Sequence, residues 1–234
     1  FGAKINIDQI HFDTGGGATN NAVTFARLGN FQVAALCRVG KDSTGQDVLS
    51  ALKRDRVDIS LVQIVKGEHS GYGTILSPGG DAAERTILVY RGASEKFEHA
   101  KIPWNKLHAR WFYISSLGGD LVLLKKLLTH AKKISAQVAW NPGGAEIERI
   151  MNHESGIMGL VDFLIVNREE AAKLTAVNFQ NTRGLLYAIA HNSTNVIMTD
   201  GPKGAYAVTQ SVILNEAPAP EQSSVRGFTP RSEG

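Results

Sequence analysis

The residues of this chain that are able to do chemistry stand where apolar runs end. Trp111-Phe-Tyr-Ile runs into Ser115-Ser116, Val138-Ala-Trp into Asn141, Phe163-Leu-Ile-Val into Asn167, and Val196-Ile-Met into Thr199-Asp200. Short apolar runs of this kind read as buried strands, and in an open parallel sheet ligands bind beyond the carboxyl ends of the strands. Hydroxyl and amide groups gathered there suit a phosphate, a sugar or a hydrated metal ion. Helices that begin just after such strands add unpaired N–H groups and a partial positive charge, which favour an anion. Taken singly, each group also reads as an ordinary helix cap or loop residue. Four such ends in one chain point to a binding crevice.

Three stretches carry more specific spacing. Asn167-Arg168-Glu169-Glu170 precedes an apolar helix and has the pattern of a capping box, in which each side chain satisfies a backbone N–H of the first turn. Thr199-Asp200-Gly201-Pro202-Lys203-Gly204 offers a hydroxyl and two glycines that let a ligand approach the backbone closely. A tight turn between Val196–Met198 and Ala205–Val208 explains the same residues. In Gly15-Gly16-Gly17-Ala18-Thr19-Asn20 the glycines permit close approach to a polyhydroxylated molecule, and the Asn20 amide can donate to one hydroxyl and accept from another. A loop followed by a helix N-cap is the plainer account of Asn20. Asp42 reads as the cap of the following helix and stays outside the site. Arg85 and Arg91 read as a solvated strand face.

The elements that must position these groups alternate. Candidate buried strands are Val33–Leu36, Trp111–Ile114, Val138–Trp140, Phe163–Val166 and Val196–Met198. Between them lie helices. One spans Asn21 to Leu28 and stops at Gly29. The clearest runs from Asp120 to Ile134, where Leu117, Leu121, Leu124, Leu128 and Ala131 form a stripe opposite Lys125, Lys126, Lys132 and Lys133. Leu185, Leu186, Ile189 and Ala190 mark another. This predicts an α/β fold, a three-layer α/β/α sandwich with a mostly parallel sheet. Two regions break the alternation. Residues 4–13 read as extended, with a change of apolar phase between Ile7 and Ile10 that suggests a bulge. Thr74–Ser77 and Arg85–Tyr90 read as antiparallel strands joined by a Pro78-Gly79-Gly80-Asp81 turn.

Composition bounds the class. The 234 residues are 43% hydrophobic and 20% charged, ordinary for a globular protein with a substantial core. A net charge of +3 with scattered Lys and Arg, and no basic stripe interleaved with aromatics, argues against nucleic acid as a partner. Asp120 and Asp162 interrupt the most apolar regions, so no stretch reaches membrane-spanning length. Cys37, the single cysteine, excludes an intrachain disulfide and a multi-cysteine metal site, and reads as a packing residue. Phe1 to Asp13 lacks a signal-peptide layout, and a cytoplasmic location is expected. Both ends read as cut, and Pro218 onward reads as an irregular tail.

Gly15-Gly16, Asn20, Ala22, Leu28-Gly29 and Val39-Gly40-Lys41-Asp42-Ser43-Thr44-Gly45, at fixed offsets, resemble the N-terminal signature of the pfkB carbohydrate and nucleoside kinases, the ribokinase-like family. The resemblance implies a core over residues 1–217, with strands of about 1–14 and 70–92 forming a small sheet that acts as a lid over the sugar and often as a homodimer surface. It implies ATP and Mg²⁺ as cofactors and a small-molecule sugar or nucleoside as substrate. Gly15, Gly16 and Asn20 fall on the family's sugar side. Asn167 and Glu170 fall on its N-x-x-E motif, which organises magnesium and phosphates, with Glu170 reaching the metal indirectly. Thr199, Gly201 and Gly204 fall on its nucleotide-side loop. Tyr90-Arg-Gly-Ala-Ser94 resembles sugar kinases more than adenosine kinases.

One part of the family pattern is missing. Its catalytic Asp base and anion hole lie in a Gly-Ala-Gly-Asp motif, and these 234 residues contain no such run. Gly79-Gly80-Asp81 and Gly118-Gly119-Asp120 lie elsewhere in the pattern, and Asp120 reads as a helix cap. The chain alone is therefore expected not to turn over, and a non-catalytic binding remnant stands as the alternative. Other enzyme classes fit worse. Asn20 occupies the third glycine position of a dinucleotide fingerprint, Gly40-Lys41 lacks the rest of a Walker loop, no G-x-S-x-G elbow exists, and the histidines lack metal-ligand spacing.

Overall fold

The computed structural model describes residues 4, 6–29, 31–77, 85–153, 156–191 and 195–209. The chain divides into two compact units, Phe1–Phe97 and Glu98–Gly234.

The first unit opens with residues 6–16 outside any regular element, so the bulged strand expected over 4–13 does not form among its described residues. Ile7, Ile10 and Phe12 are exposed there, with no apolar face to hold them. Helix α1 (Gly17–Leu28) starts four residues before the expected Asn21, and strand β1 is Arg38–Gly40 rather than Val33–Leu36. The segment from Val33 does pair, since the Ala35 amide donates to Asp58 and the Asp58 amide to Val33. Asp58 then turns the partner chain by accepting from Ser60 N, and the ladder resumes only at Gln63, whose amide donates to Cys37. Strand β1 therefore pairs in parallel with β2 (Gln63–Val65), with α2 (Ser43–Arg54) between them in sequence. Ala22 of α1, Ala35, Leu52 of α2 and Val57 form a core against which Val23, Val33, Cys37 and Val48 pack. Burial pushes the Cys37 thiol up to about 11, the inert packing residue expected of it.

The Val39–Gly45 turn is a knot of close contacts. A Cβ on Gly40 would lie 2.3 Å from the Glu68 carbonyl, and one on Gly45 would lie 2.2 Å from the Gly40 carbonyl. Asp42 caps α2 through Gly45 N and also accepts from Ser70 N and Ser70 Oγ, at 2.8, 2.8 and 2.6 Å. Ser70 in turn accepts from Gly40 N. The antiparallel pair β3 (Tyr72–Leu76) and β4 (Thr86–Tyr90) springs from this knot, with Tyr72 opposite Tyr90 and Leu76 opposite Thr86. All ten of its residues are exposed. The Pro78–Asp81 turn between these strands lies outside the described residues.

The second unit holds a sheet of five strands in the order β5-β6-β7-β8-β9, which are Trp111–Ile114, Gln137–Trp140, Phe163–Asn167, Asn195–Thr199 and Ala205–Thr209. Its first four strands are parallel and the last is antiparallel. Helices α3 (Leu121–Lys133), α4 (Gly144–His153), α5 (Arg168–Thr175) and α6 (Thr182–Ala190) connect them. Successive residues of a strand point to opposite faces, so burial of Val138, Ala139 and Trp140 alike means that the sheet is covered on both faces. Asp120 caps α3 by accepting from Leu123 N. The buried stripe of α3 adds Leu123 and Leu127 to the expected Leu124, Leu128 and Ala131. The chain is thus α/β with a mixed, mostly parallel sheet. No helix among the described residues is long and apolar enough to cross a membrane. Residues 218–234 lie outside the description.

The bonds that Asp42 accepts hold its carboxyl down at about 2, with the Ser70 hydroxyl the largest cause and the Ser70 and Gly45 amides next. A folded-state value below the ordinary 3.8 means stability that is present above that value and is lost as pH falls from there toward 2. Urea midpoints measured between pH 7 and 2.5 are expected to fall more steeply below pH 4 for the wild type than for Asp42→Asn. Parallel curves would mean that the knot holds without the charge.

Candidate functional site

In the second unit the parallel pairing brings the expected polar groups to neighbouring strand ends. Asn167, the last residue of β7, is paired with Thr199, the last of β8. Ile114 ends β5 beside Trp140, which ends β6, so Ser115-Ser116 and Asn141 leave adjacent strands at the same edge.

The groups at this edge divide by what they already hold. The Asn141 amide Nδ2 donates to the Ile165 carbonyl and its backbone N donates to Ile114, so Asn141 stitches three strands together. Asn167 and Glu170 form the complete capping box: Glu170 N donates to Asn167 Oδ1 at 2.8 Å, and Asn167 N donates to Glu170 Oε2 at 2.8 Å. Asn167 stays exposed and Glu170 half-buried. The loop after β8 closes on itself through Asp200 N donating to Gly204 O at 2.8 Å, with Thr199 and Gly201 exposed. Gly204 has φ 95° and ψ −141°, a conformation only glycine adopts readily.

Two charged side chains that the sequence reading did not assign shape this edge. Glu146 is fully buried and is the third residue of α4. It accepts from Leu117 N and Gly119 N through Oε1 at 2.6 and 2.9 Å, and from Gly143 N and Ser116 Oγ through Oε2 at 2.9 and 3.0 Å. One carboxylate therefore fixes the loops that follow both β5 and β6. The available signal was half of a capping box: a Glu three residues after Gly143, which has no side chain to return the bond. Arg168, likewise buried, pairs with Asp200 at 2.8 Å.

In the first unit Gly16 is the N-cap of α1 with φ 106°, so this position needs a glycine for its backbone. A Cβ on Gly15 would meet nothing within 4 Å, so packing does not demand glycine there. Asn20 is not the N-cap: its backbone N donates to Gly16 O inside the first turn, and its side chain is exposed. It lines a cavity of about 230 Å³ between α1 and α2, together with Asp13, Thr14, Thr24, Arg27 and Asp55. Arg27 and Asp55 close one wall as an ion pair, Nε to Oδ1 at 2.6 Å.

The sequence from 1 to 226 matches the pfkB family carbohydrate kinases. This chain belongs to that family. It is 28% identical over 220 residues to a ribokinase of Schizosaccharomyces pombe, covering 88% of this chain and 67% of that protein. It is 26% identical over 198 residues to a ribokinase of Haemophilus influenzae, covering 82% of this chain and 62% of that one. The chain thus spans about two thirds of the length of these relatives. Among solved structures, Arabidopsis thaliana ribokinase complexed with ribose and ATP aligns with a TM-score of 0.67 at 21% identity, covering 84% of this chain and 64% of that one. That likeness shows the ribokinase-like fold.

No group of three or more His, Cys, Asp or Glu side chains able to hold a metal ion occurs among the described residues. A single carboxylate at this edge, Glu170, would suit an ion that keeps most of its waters rather than one held in a protein cage.

Glu146→Ala leaves several enclosed N–H groups without an acceptor, at about 1–3 kcal/mol each. Urea denaturation is expected to show a loss of roughly 3 kcal/mol or more. A loss under about 1 kcal/mol would mean that water replaces the carboxylate.

Proposed function

We propose that this chain supplies the nucleotide-binding and sugar-binding parts of an ATP-dependent kinase that phosphorylates a sugar hydroxyl. The observation that carries the reading is the register of Asn167 with Thr199. It sets the N-x-x-E turn and the Thr199–Gly204 loop side by side at the carboxyl edge of a parallel sheet, where anions bind in this class of fold. Bound ATP with Mg²⁺ supplies the phosphoryl group and neutralises its charge. The residues of this chain then orient and hold. Glu170 would help hold the hydrated ion through the carboxylate oxygen that the cap leaves over. Thr199 gives its hydroxyl, and the backbone at Gly201 and Gly204 admits phosphate or adenine. Asn20 bonds two hydroxyls of the sugar beside Gly15 and Gly16, a substrate class that runs from ribose and fructose to a nucleoside. The cytoplasm, where ATP is abundant, suits this activity.

The missing Gly-Ala-Gly-Asp run favours a second reading, that these residues bind without turnover. The lid strands add a partner. Ile75, Ile87 and Val89 share one face of β3–β4, Tyr72, Leu76, Leu88 and Tyr90 the other, and all are exposed. A two-stranded ribbon with both faces apolar is marginal alone. One face closes over the sugar and the other meets a second copy of this chain.

Calorimetry with MgATP and a panel of ribose, fructose and adenosine is expected to show binding of MgATP and of one panel member. Binding of neither would overturn the proposal. Phosphoryl transfer by the 234-residue chain would overturn only the second reading. Asn20→Ala is expected to weaken the sugar by about tenfold and MgATP by less than about twofold. Equal losses would make Asn20 a structural residue. Glu170→Gln is expected to reduce the gain in ATP affinity that Mg²⁺ confers, and an unchanged gain would leave Glu170 only its cap. Ile75→Glu with Ile87→Glu is expected to give a monomer by light scattering where the wild type is a dimer. The same mass for both would end the lid interface.

A further inference from the structure

Arg168 and Asp200 lie inside the two motifs assigned above to the nucleotide side, one residue after Asn167 and one after Thr199. Their side chains are nearly out of reach of solvent, 10 and 11% exposed, and Nη1 donates to Oδ2 at 2.8 Å. The rest of the guanidinium is also committed. Nε donates to the Phe179 carbonyl at 2.9 Å, Nη2 to the Gln180 carbonyl at 3.3 Å, and the guanidinium carbon sits 4.8 Å from the centre of the Phe179 ring. One side chain thus joins the start of α5, the α5–α6 connection and the loop after β8. A planar fork held at three points is directional, unlike a mobile surface charge. Asp200 passes the constraint on, because its backbone N donates to Gly204 O and closes the loop.

A role in stability alone does not account for this placement well. Burying two charges costs desolvation, and a buried ion pair gains little over an apolar pair of similar volume. What such a pair does provide is geometry. We infer that Arg168 and Asp200 are positioning residues, which hold the Thr199–Gly204 loop at a set distance from the Asn167–Glu170 turn, so that nucleotide affinity depends on a contact the nucleotide does not touch. The inference rests on the nucleotide-side reading of these two motifs.

The test compares three forms of the full chain: wild type, the double variant Arg168→Leu with Asp200→Leu, and Asp200→Asn. The double variant removes both charges together, so no buried charge is stranded, and only the Phe179 and Gln180 carbonyls lose a donor. MgATP and sugar affinities are read by calorimetry, alongside the melting temperature. The expected result is a double variant that melts within about 5 °C of wild type, binds MgATP about tenfold more weakly and keeps its sugar affinity within about twofold. Asp200→Asn keeps the shape and weakens the pair. It is expected to lose about threefold in MgATP affinity, and it decides the question if the double variant does not fold. A wild type that binds MgATP, with both folded variants binding it equally well, overturns the inference alone. A parallel loss of sugar and nucleotide affinity also overturns it. A wild type that does not bind MgATP overturns the nucleotide-side reading and the inference together.

Discussion

Parallel pairing between β7 and β8 is the constraint on which the candidate nucleotide edge depends. Parallel strands enter from the same end, so whatever follows one strand stands beside whatever follows the next. Asn167 lies opposite Thr199 because Leu164, Ile165 and Val166 lie opposite Val196, Ile197 and Met198. Shifting that register by one residue would turn the buried Leu164 and Val166 toward the other face, and their near-complete burial opposes it. The spacing of the polar groups is therefore set by the apolar ones. Glu146 makes the same point for β5 and β6: its carboxylate gathers amides from the loops after both strands, and Asn141 ties β6 to β7.

The first unit solves a different problem. A ribbon exposed along its whole length has little packing of its own to fix its direction. Its base is fixed instead. Asp42 accepts from both the amide and the hydroxyl of Ser70 just before β3 begins, and the close approach of Gly40 and Gly45 leaves no room for any other side chain there. Just beyond the returning strand, Arg38 of β1 donates to the Ala93 and Lys96 carbonyls at 3.2 and 2.6 Å. The V-G-x-D-x-x-G signature is thereby accounted for by the anchoring of the β3–β4 ribbon, and Asp42 has a structural task.

Legibility followed burial. Trp111–Ile114, Val138–Trp140, Phe163–Val166 and Val196–Met198 fall within a residue of the observed strands, because strands enclosed on both faces are written as continuous apolar runs. Val33–Leu36 has the same composition, yet the ladder there is broken by the Asp58–Ser60 turn of its partner, which no property of Val33 to Leu36 could announce. The start of α1 was hidden because Gly17-Ala18-Thr19 reads as a turn. In the fold, Gly16 is the N-cap with its carbonyl accepting from Asn20 N, and Thr19 is buried inside the first turn. Asp42 and Asp120 were recognisable as caps, since a cap is a local pattern. Arg38 and Arg168 were not recognisable, and Glu146 only as half of a capping box, because a charge is buried only when distant backbone groups converge on it, and sequence spacing carries little trace of that convergence.

The capping box at Asn167 shows why local pattern and function need not compete. The box uses Asn167 Oδ1 and one oxygen of Glu170. An ionised carboxylate has room for about four hydrogen bonds, so capping leaves most of its capacity in hand. The cap also costs Glu170 its rotamer freedom in advance, which a ligand would otherwise have to overcome on binding. Two residues that terminate a helix well are for that reason well suited to present an oxygen at a fixed place. The pattern that reads as mere architecture is then the means by which a short turn is made rigid.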